Sequence, residues 1–160
     1  MPAALKAGHI LSSFECGRPE ITRWLKERAL DASKGGTAVT YVVCRGGKRV
    51  VAYYALAAGA LAHELAPRAL KRNTPDPIPV FLLARLGVDL TEQRKGLGGQ
   101  LMSDAMRRAL QGAKIIGARA LLVHALDDSL AEYYRSLGFL SLGEQKQTLY
   151  IAMSTIRDAL

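Results

Sequence analysis

"ARLGVDLTEQRKGLGGQLMSDAM", residues 84–106, joins an apolar run to an amphipathic one through a segment crowded with glycine and positive charge. The apolar part belongs to "VFLLARLGVD", residues 80–89, whose density predicts a buried strand. After the glycines, Leu101, Met102, Ala105, Met106, Ala109 and Leu110 recur at helical spacing, with Arg107 and Arg108 on the outer side. The pattern predicts a helix over 98–117. A helix start carries unpaired N–H groups and a partial positive charge. Glycines let such a backbone approach an anion closely, and Arg94 and Lys95 add charge. Residues Gln93 to Gly99 therefore suit a pyrophosphate. They are not a Walker loop, because no GK[ST] follows. Nor are they a dinucleotide fingerprint, because Leu101 stands where the third glycine belongs. A flexible surface loop remains the competing reading of these residues alone.

Working outward, residues 17–34 read as a helix, with Pro19 in its first turn and Ile21, Trp24, Leu25 and Ala29 on one face. Gly35-Gly36 stops it. The β-branched and aromatic run 37–45 reads as a strand, "GGK" (46–48) as a hairpin turn, and 49–62 as its long partner. Residues 64–80 hold four prolines and read as a short helix followed by a loop. A strand over 118–126, a helix from Asp127 to Gly138 and a last strand over 147–155 complete the order. Helix, hairpin, then strand and helix in alternation predict one α/β domain, residues 1–160, with a mixed sheet.

The chain has 160 residues, 49% of them hydrophobic, which suits a single globular core. No apolar run reaches the roughly 18 residues of a membrane span. Residues 1–8 lack the apolar stretch of a signal peptide, so a cytoplasmic location is expected. Cys16 and Cys44 are far apart and outside any Cys/His cluster, so neither a disulfide framework nor a metal site is expected. The net charge of +8 favours polyanionic partners such as nucleic acid, phosphorylated cofactors or an acidic protein.

Gln93-x-x-Gly96-x-Gly98 after "ARLGVD" resembles motif A of the GNAT N-acetyltransferases. A second family element, a tyrosine four residues before Gly-Phe, occurs in "YYRSLGF" as Tyr134, Gly138 and Phe139. The resemblance implies the GNAT fold: a mostly antiparallel central sheet, flanked by helices and splayed between its central strands. It implies acetyl-CoA as co-substrate and no metal. The backbone of Leu86, Gly87 and Val88 would pair with the pantetheine arm, and Gln93, Arg94, Lys95, Gly96, Leu97, Gly98 and Gly99 would hold the pyrophosphate. Two residues depart from the family's usual pattern: Asp127 stands where many members have asparagine, and Gly99 where a basic or small polar residue is common.

A narrower likeness covers almost the whole chain. "FECGRPEITRWLKERAL", "TYVVC" and "ARALLVHALDDSLAEYYRSLGF" are similar to toxin-type GNAT proteins of type II toxin–antitoxin pairs. That likeness implies acetylation of the α-amine of aminoacyl-tRNA, a block of translation, a ribbon-helix-helix antitoxin and a homodimer. The amine must be neutral to attack; an α-amino pKa near 7.7 to 8.0, or lower in an ester, makes a strong base unnecessary. An N–H near Val88 would polarise the thioester carbonyl. The leaving thiolate needs a proton, and a phenol of reference pKa about 10 can supply it. The resemblance places that role on Tyr134 and leaves Tyr133 to packing. Arg85 interrupts an apolar strand, so its charge needs a groove or a partner. Arg85 is a candidate contact for the tRNA acceptor end or the cofactor, and Lys71 and Arg72, beside the proline-rich loop, are candidate phosphate contacts. Trp24 reads as a core anchor and His124 as a structural histidine. Two other readings stay open: a GNAT enzyme for a small amine or a protein N-terminus, and a non-catalytic acyl-CoA or nucleic-acid binding module.

Overall fold

The chain runs from β1 (Ala3–Ala4) through α1 (Pro19–Glu27), α2 (Ala29–Gly35), β2 (Val39–Arg45) and β3 (Arg49–Leu61) to α3 (Arg68–Lys71). It continues with β4 (Ile78–Val88), α4 (Leu97–Ile116), β5 (Ala120–His124), α5 (Asp128–Ser136), β6 (Leu140–Leu142), β7 (Gln145–Ala152) and α6 (Met153–Ala159). This computed structural model describes residues 1–160, with the side chain of Lys146 outside that description. The strands form one sheet in the order β1-β2-β3-β4-β5-β7-β6. The β1–β2, β2–β3, β5–β7 and β6–β7 pairs are antiparallel, and β4 and β5 are parallel. A parallel pair needs a long crossover, and α4 supplies it. The expected mixed, mostly antiparallel sheet is thus present. The β4–β5 ladder spans Phe81–Leu83 against Leu121–Val123, whereas β4 itself continues to Val88.

The chain divides into two compact units, Met1–Ala57 with Ala84–Ala105 and Ala58–Leu83 with Met106–Leu160. The first has a core of Leu5, Phe14, Ile21, Leu25, Ala29, Val42, Val50 and Tyr53. Ile21, Leu25 and Ala29 are the helical face that the sequence marks, and the β2–β3 hairpin supplies the valines and Tyr53. The second unit buries Leu61, Leu70, Ile78, Val80, Ala120, Leu122, Leu142 and Tyr150. No helix among the described residues is long and apolar enough to cross a membrane.

Local punctuation falls where the glycines put it. Gly36 ends α2 in the left-handed region at φ 77°, and Gly46 and Gly47 turn the hairpin at φ 64° and 89°. Four details differ from the sequence expectations. The helix expected over 17–34 breaks at Arg28 (φ −122°, ψ −30°) into α1 and α2. The strand expected from residue 80 starts at Ile78, inside the proline-rich stretch. The strand expected over 147–155 stops at Ala152. There the Met153 amide turns to donate to Arg119 O at 3.0 Å, and Met153 and Ile156 bury themselves at helical spacing in α6. The short edge strands β1 and β6 were not anticipated.

Candidate functional site

In the first unit, β4 passes beside α1 and leads into the glycine-rich turn. A Cβ placed on Gly87 would lie 2.7 Å from Ile21 Cγ2, and 3.5 Å from both Cys16 Sγ and Tyr53 Cε1. Gly87 is therefore required by the close approach of α1. Asp89 N donates to Val51 O on β3 at 2.8 Å. Backbone groups alternate along a strand, so the amides of Leu86 and Val88 point away from β3.

After β4, residues Leu90–Glu92 form a 3-10 turn, and α4 opens at Leu97. Arg94 (φ 63°) and Gly96 (φ 81°) both lie in the left-handed region. Arg94 follows the extended Gln93 (φ −71°, ψ 157°), and Gly96 directly precedes the right-handed α4, where a left-handed residue turns successive N–H groups to one side as an anion nest. Gln100 N donates to Gly96 O at 3.2 Å, so the amides of Leu97, Gly98 and Gly99 precede the helical ladder. The exposed Arg94 and Lys95 flank them. The Leu97 side chain is buried, so it roots the helix and leaves only its backbone to the turn. A Cβ on Gly99 would meet nothing within 4 Å. Glu92 pairs with Arg45 at 3.0 Å and with Lys95 at 3.8 Å, which brings a cation from the end of β2 to the turn. The turn thus gathers main-chain amides and two exposed cations, an arrangement that suits an anion.

The turn is stitched to residues 15–22. Gln93 Nε2 donates to Cys16 O and to Val88 O, each at 2.9 Å. Asp89 is buried; its carboxylate accepts from Glu15 N at 2.8 Å, Thr91 N at 3.0 Å and Thr91 Oγ1 at 2.6 Å. Burial alone would raise the Asp89 carboxyl, but the hydrogen bonds from Thr91 and Glu15, with the charge of Arg49, outweigh it and hold it below its ordinary value. Leu90 N donates to Glu15 O at 2.8 Å. Glu15 in turn accepts from Thr22 Oγ1 at 2.8 Å, and Cys16 N donates to the same hydroxyl at 3.1 Å. Gln93 thus shapes the loop from within. Glu15, Thr22, Arg45, Asp89 and Glu92 were missed by sequence reasoning, because their partners are distant in the chain. Above the turn, the buried Tyr54 hydroxyl donates to Asp104 Oδ2 and anchors the first half of α4 to β3.

On the α1 side of β4, Arg85 sits under Trp24, its Cζ 5.7 Å from the ring centroid. Trp24 stacks on Tyr53 at 6.1 Å and 9°. The tryptophan is half-buried at the edge of the core rather than deep within it.

In the second unit, α5 carries Tyr134. Asp127 caps α5, accepting from Leu130 N at 2.9 Å, which gives the aspartate at this position a structural reason. Tyr134 is 5% exposed, and its ring lies 5.7 Å from those of Tyr133 and Phe139. Its carbonyl accepts from Leu137 N at 3.0 Å and Phe139 N at 3.2 Å, so Gly138 (φ 105°) folds Phe139 back on the tyrosine. Tyr133 is half-buried, and burial pushes its phenol up. The exposed His124 places Nδ1 2.9 Å from the buried Thr148 Oγ1. Lys71 ends α3 and the exposed Arg72 follows it; Arg72 O accepts from Arg119 Nη2 at 3.2 Å. Arg85 and the pair Lys71/Arg72 belong to different units.

No family model matches the chain. It is 45% identical over 138 residues to a tRNA-acetylating toxin of Mycobacterium tuberculosis (strain ATCC 25618 / H37Rv), covering 86% of this chain and 82% of that protein. The structure of AtaT complexed with acetyl-methionyl-tRNAfMet is 25% identical, with a TM-score of 0.90 over 99% of this chain and 98% of that one. A tyrosine-to-phenylalanine mutant of AtaT, bound to the C-terminus of the antitoxin AtaR and acetyl-CoA, is 26% identical with a TM-score of 0.85, covering 99% and 96%.

Proposed function

The chain belongs to the GNAT-type tRNA-acetylating toxins of toxin–antitoxin pairs, and from that premise we propose that it moves the acetyl group of acetyl-CoA to the α-amine of an aminoacyl-tRNA and so blocks translation. The relationship to the M. tuberculosis toxin carries this reading. The left-handed turn at Arg94 and Gly96 supports its acetyl-CoA half.

In this reading the amides of Leu97, Gly98 and Gly99, with Arg94 and Lys95, hold the pyrophosphate. Leu86, Gly87 and Val88 offer main-chain groups to the pantetheine arm, and the Val88 N–H polarises the thioester carbonyl. Gly87 contributes backbone alone, since its Cα faces Ile21. The neutral amine attacks and sheds a proton to solvent, the carbon–sulfur bond breaks, and the Tyr134 phenol gives its proton to the departing thiolate and regains one from solvent. Much of the acceleration comes from holding amine and thioester together. Lys71 and Arg72 meet phosphates of the tRNA. The chain works in the cytoplasm as a single GNAT domain and a homodimer, without a metal, and is neutralised by a ribbon-helix-helix antitoxin.

Radiolabelled acetyl-CoA tests the reaction. Label should enter charged tRNA and spare deacylated tRNA; label in neither rules the reading out. Light scattering of the purified chain tests the dimer, and a monomer at micromolar concentration counts against it.

A further inference from the structure

The guanidinium of Arg85 is held on three sides. Nη1 donates to Ala84 O at 2.7 Å, the face lies under Trp24, and Nε is sealed from solvent without an acceptor. Nη2 makes no such bond, yet it is not sealed. Arg85 forms no ion pair among the described residues. Its charge is felt by its neighbours: burial pushes the Tyr53 phenol up, Cys16 adds to that, and Arg85 opposes it. A cation–aromatic contact offsets only part of the cost of withdrawing a guanidinium from water. The arrangement is a pre-positioned cation with one open edge and no anion of its own.

We propose that Arg85 is a substrate-binding residue whose open Nη2 edge takes a phosphodiester oxygen of the tRNA acceptor end. The inference rests on the reading of the chain as a tRNA acetyltransferase. Arginine suits the task because its planar fork stays charged and loses little freedom once stacked. Arg85 shares its side of β4 with Gly87, which packs on Ile21 of α1. Arg85 sits on β4 beside Trp24 and not in the 93–99 turn given to the pyrophosphate, and the anion at Arg85 is assigned to the acceptor substrate. A phosphodiester is the anion that such a substrate carries along its whole length.

Trp24 is the sole tryptophan of the chain, so its emission reports on this site directly. Binding of a fluorescein-labelled single-stranded oligonucleotide ending in CCA is followed by anisotropy across a salt series. Wild type and Arg85→Lys should show equal slopes of log K against log salt. Arg85→Gln should bind about tenfold more weakly and lose about 0.7 from the slope, the share of one phosphate on a single strand. Should Arg85→Gln fail to fold, Arg85→Met keeps the apolar stem and serves the same comparison. Unlabelled oligonucleotide should change Trp24 emission in the wild type. A wild-type slope in the neutral variant, no binding by the wild type, or binding that leaves Trp24 emission untouched overturns the proposal. A merely structural Arg85 would lower the melting temperature without moving the slope. Acetyl transfer to charged tRNA is scored separately: its absence defeats the functional reading, while the slopes still decide whether Arg85 meets a phosphate.

Discussion

Replacing Gly87 by alanine tests whether the strand that ends at the glycine-rich turn is held by its contact with α1. The added Cβ would lie 2.7 Å from Ile21 Cγ2, about 1 Å inside normal carbon–carbon contact. It has no easy escape, because Cys16 Sγ and Tyr53 Cε1 close in at 3.5 Å. Ile21 is 5% exposed, so it must leave its rotamer or carry α1 with it. Overpacking of this kind costs about 1–3 kcal/mol. Urea denaturation should place Gly87→Ala in that range. Ile21→Ala alone should cost about 2–5 kcal/mol as a cavity. Together they should cost less than their sum by about 1–3 kcal/mol, because each relieves the other. The Michaelis constant for acetyl-CoA should rise in Gly87→Ala and fall back in the double variant. Strict additivity in the double-mutant cycle would refute the clash, and with it the claim that α1 sets the position of β4.

Three further changes probe the site. Gln93→Leu removes both 2.9 Å bonds that close the turn on Cys16 and Val88; calorimetry should show acetyl-CoA bound about tenfold more weakly, with little change in melting temperature. Asp89 has a folded pKa below its unfolded value of about 3.9, so its stabilisation is present above that value and is lost as pH falls through the folded one. Asp89→Asn should therefore lower stability at pH 7 by about 1–3 kcal/mol and flatten the acid limb of the stability profile, and an unchanged limb counts against the assignment. Tyr134→Phe should keep acetyl-CoA affinity and reduce turnover by roughly 10²- to 10⁴-fold, so a variant that still arrests growth removes Tyr134 from the chemistry.

How much of this was legible depended on how local the cause was. The α4 face, the hairpin at Gly46-Gly47 and the stop at Gly36 follow from period and glycine, which one stretch of chain expresses by itself. The break at Arg28 has no glycine or proline to announce it. The switch from β7 to α6 hides within "LYIAMST", because the Arg119 carbonyl that captures Met153 lies far away in sequence. The same contrast holds at the site. Gln93, Gly96 and Tyr134 stand in motifs with fixed spacing. Asp89 and Glu15 act through bonds spanning 74 residues, and no local pattern reveals such a pair. Arg85 was visible as an anomaly, a charge in an apolar strand, but its stacking on Trp24 required the fold.

The stitch between residues 15–16 and 89–93 also has a meaning in time. A connection that closes so long a loop costs more chain entropy to form than a local turn does, and slows the step that makes it. Until the N-terminal segment docks, Asp89 lacks the Glu15 amide and Gln93 lacks the Cys16 carbonyl, the two partners that tie the turn to it. A protease that trimmed the chain past Cys16 would take away both partners of the turn, and with them the buried Leu5 and Phe14 of the first core.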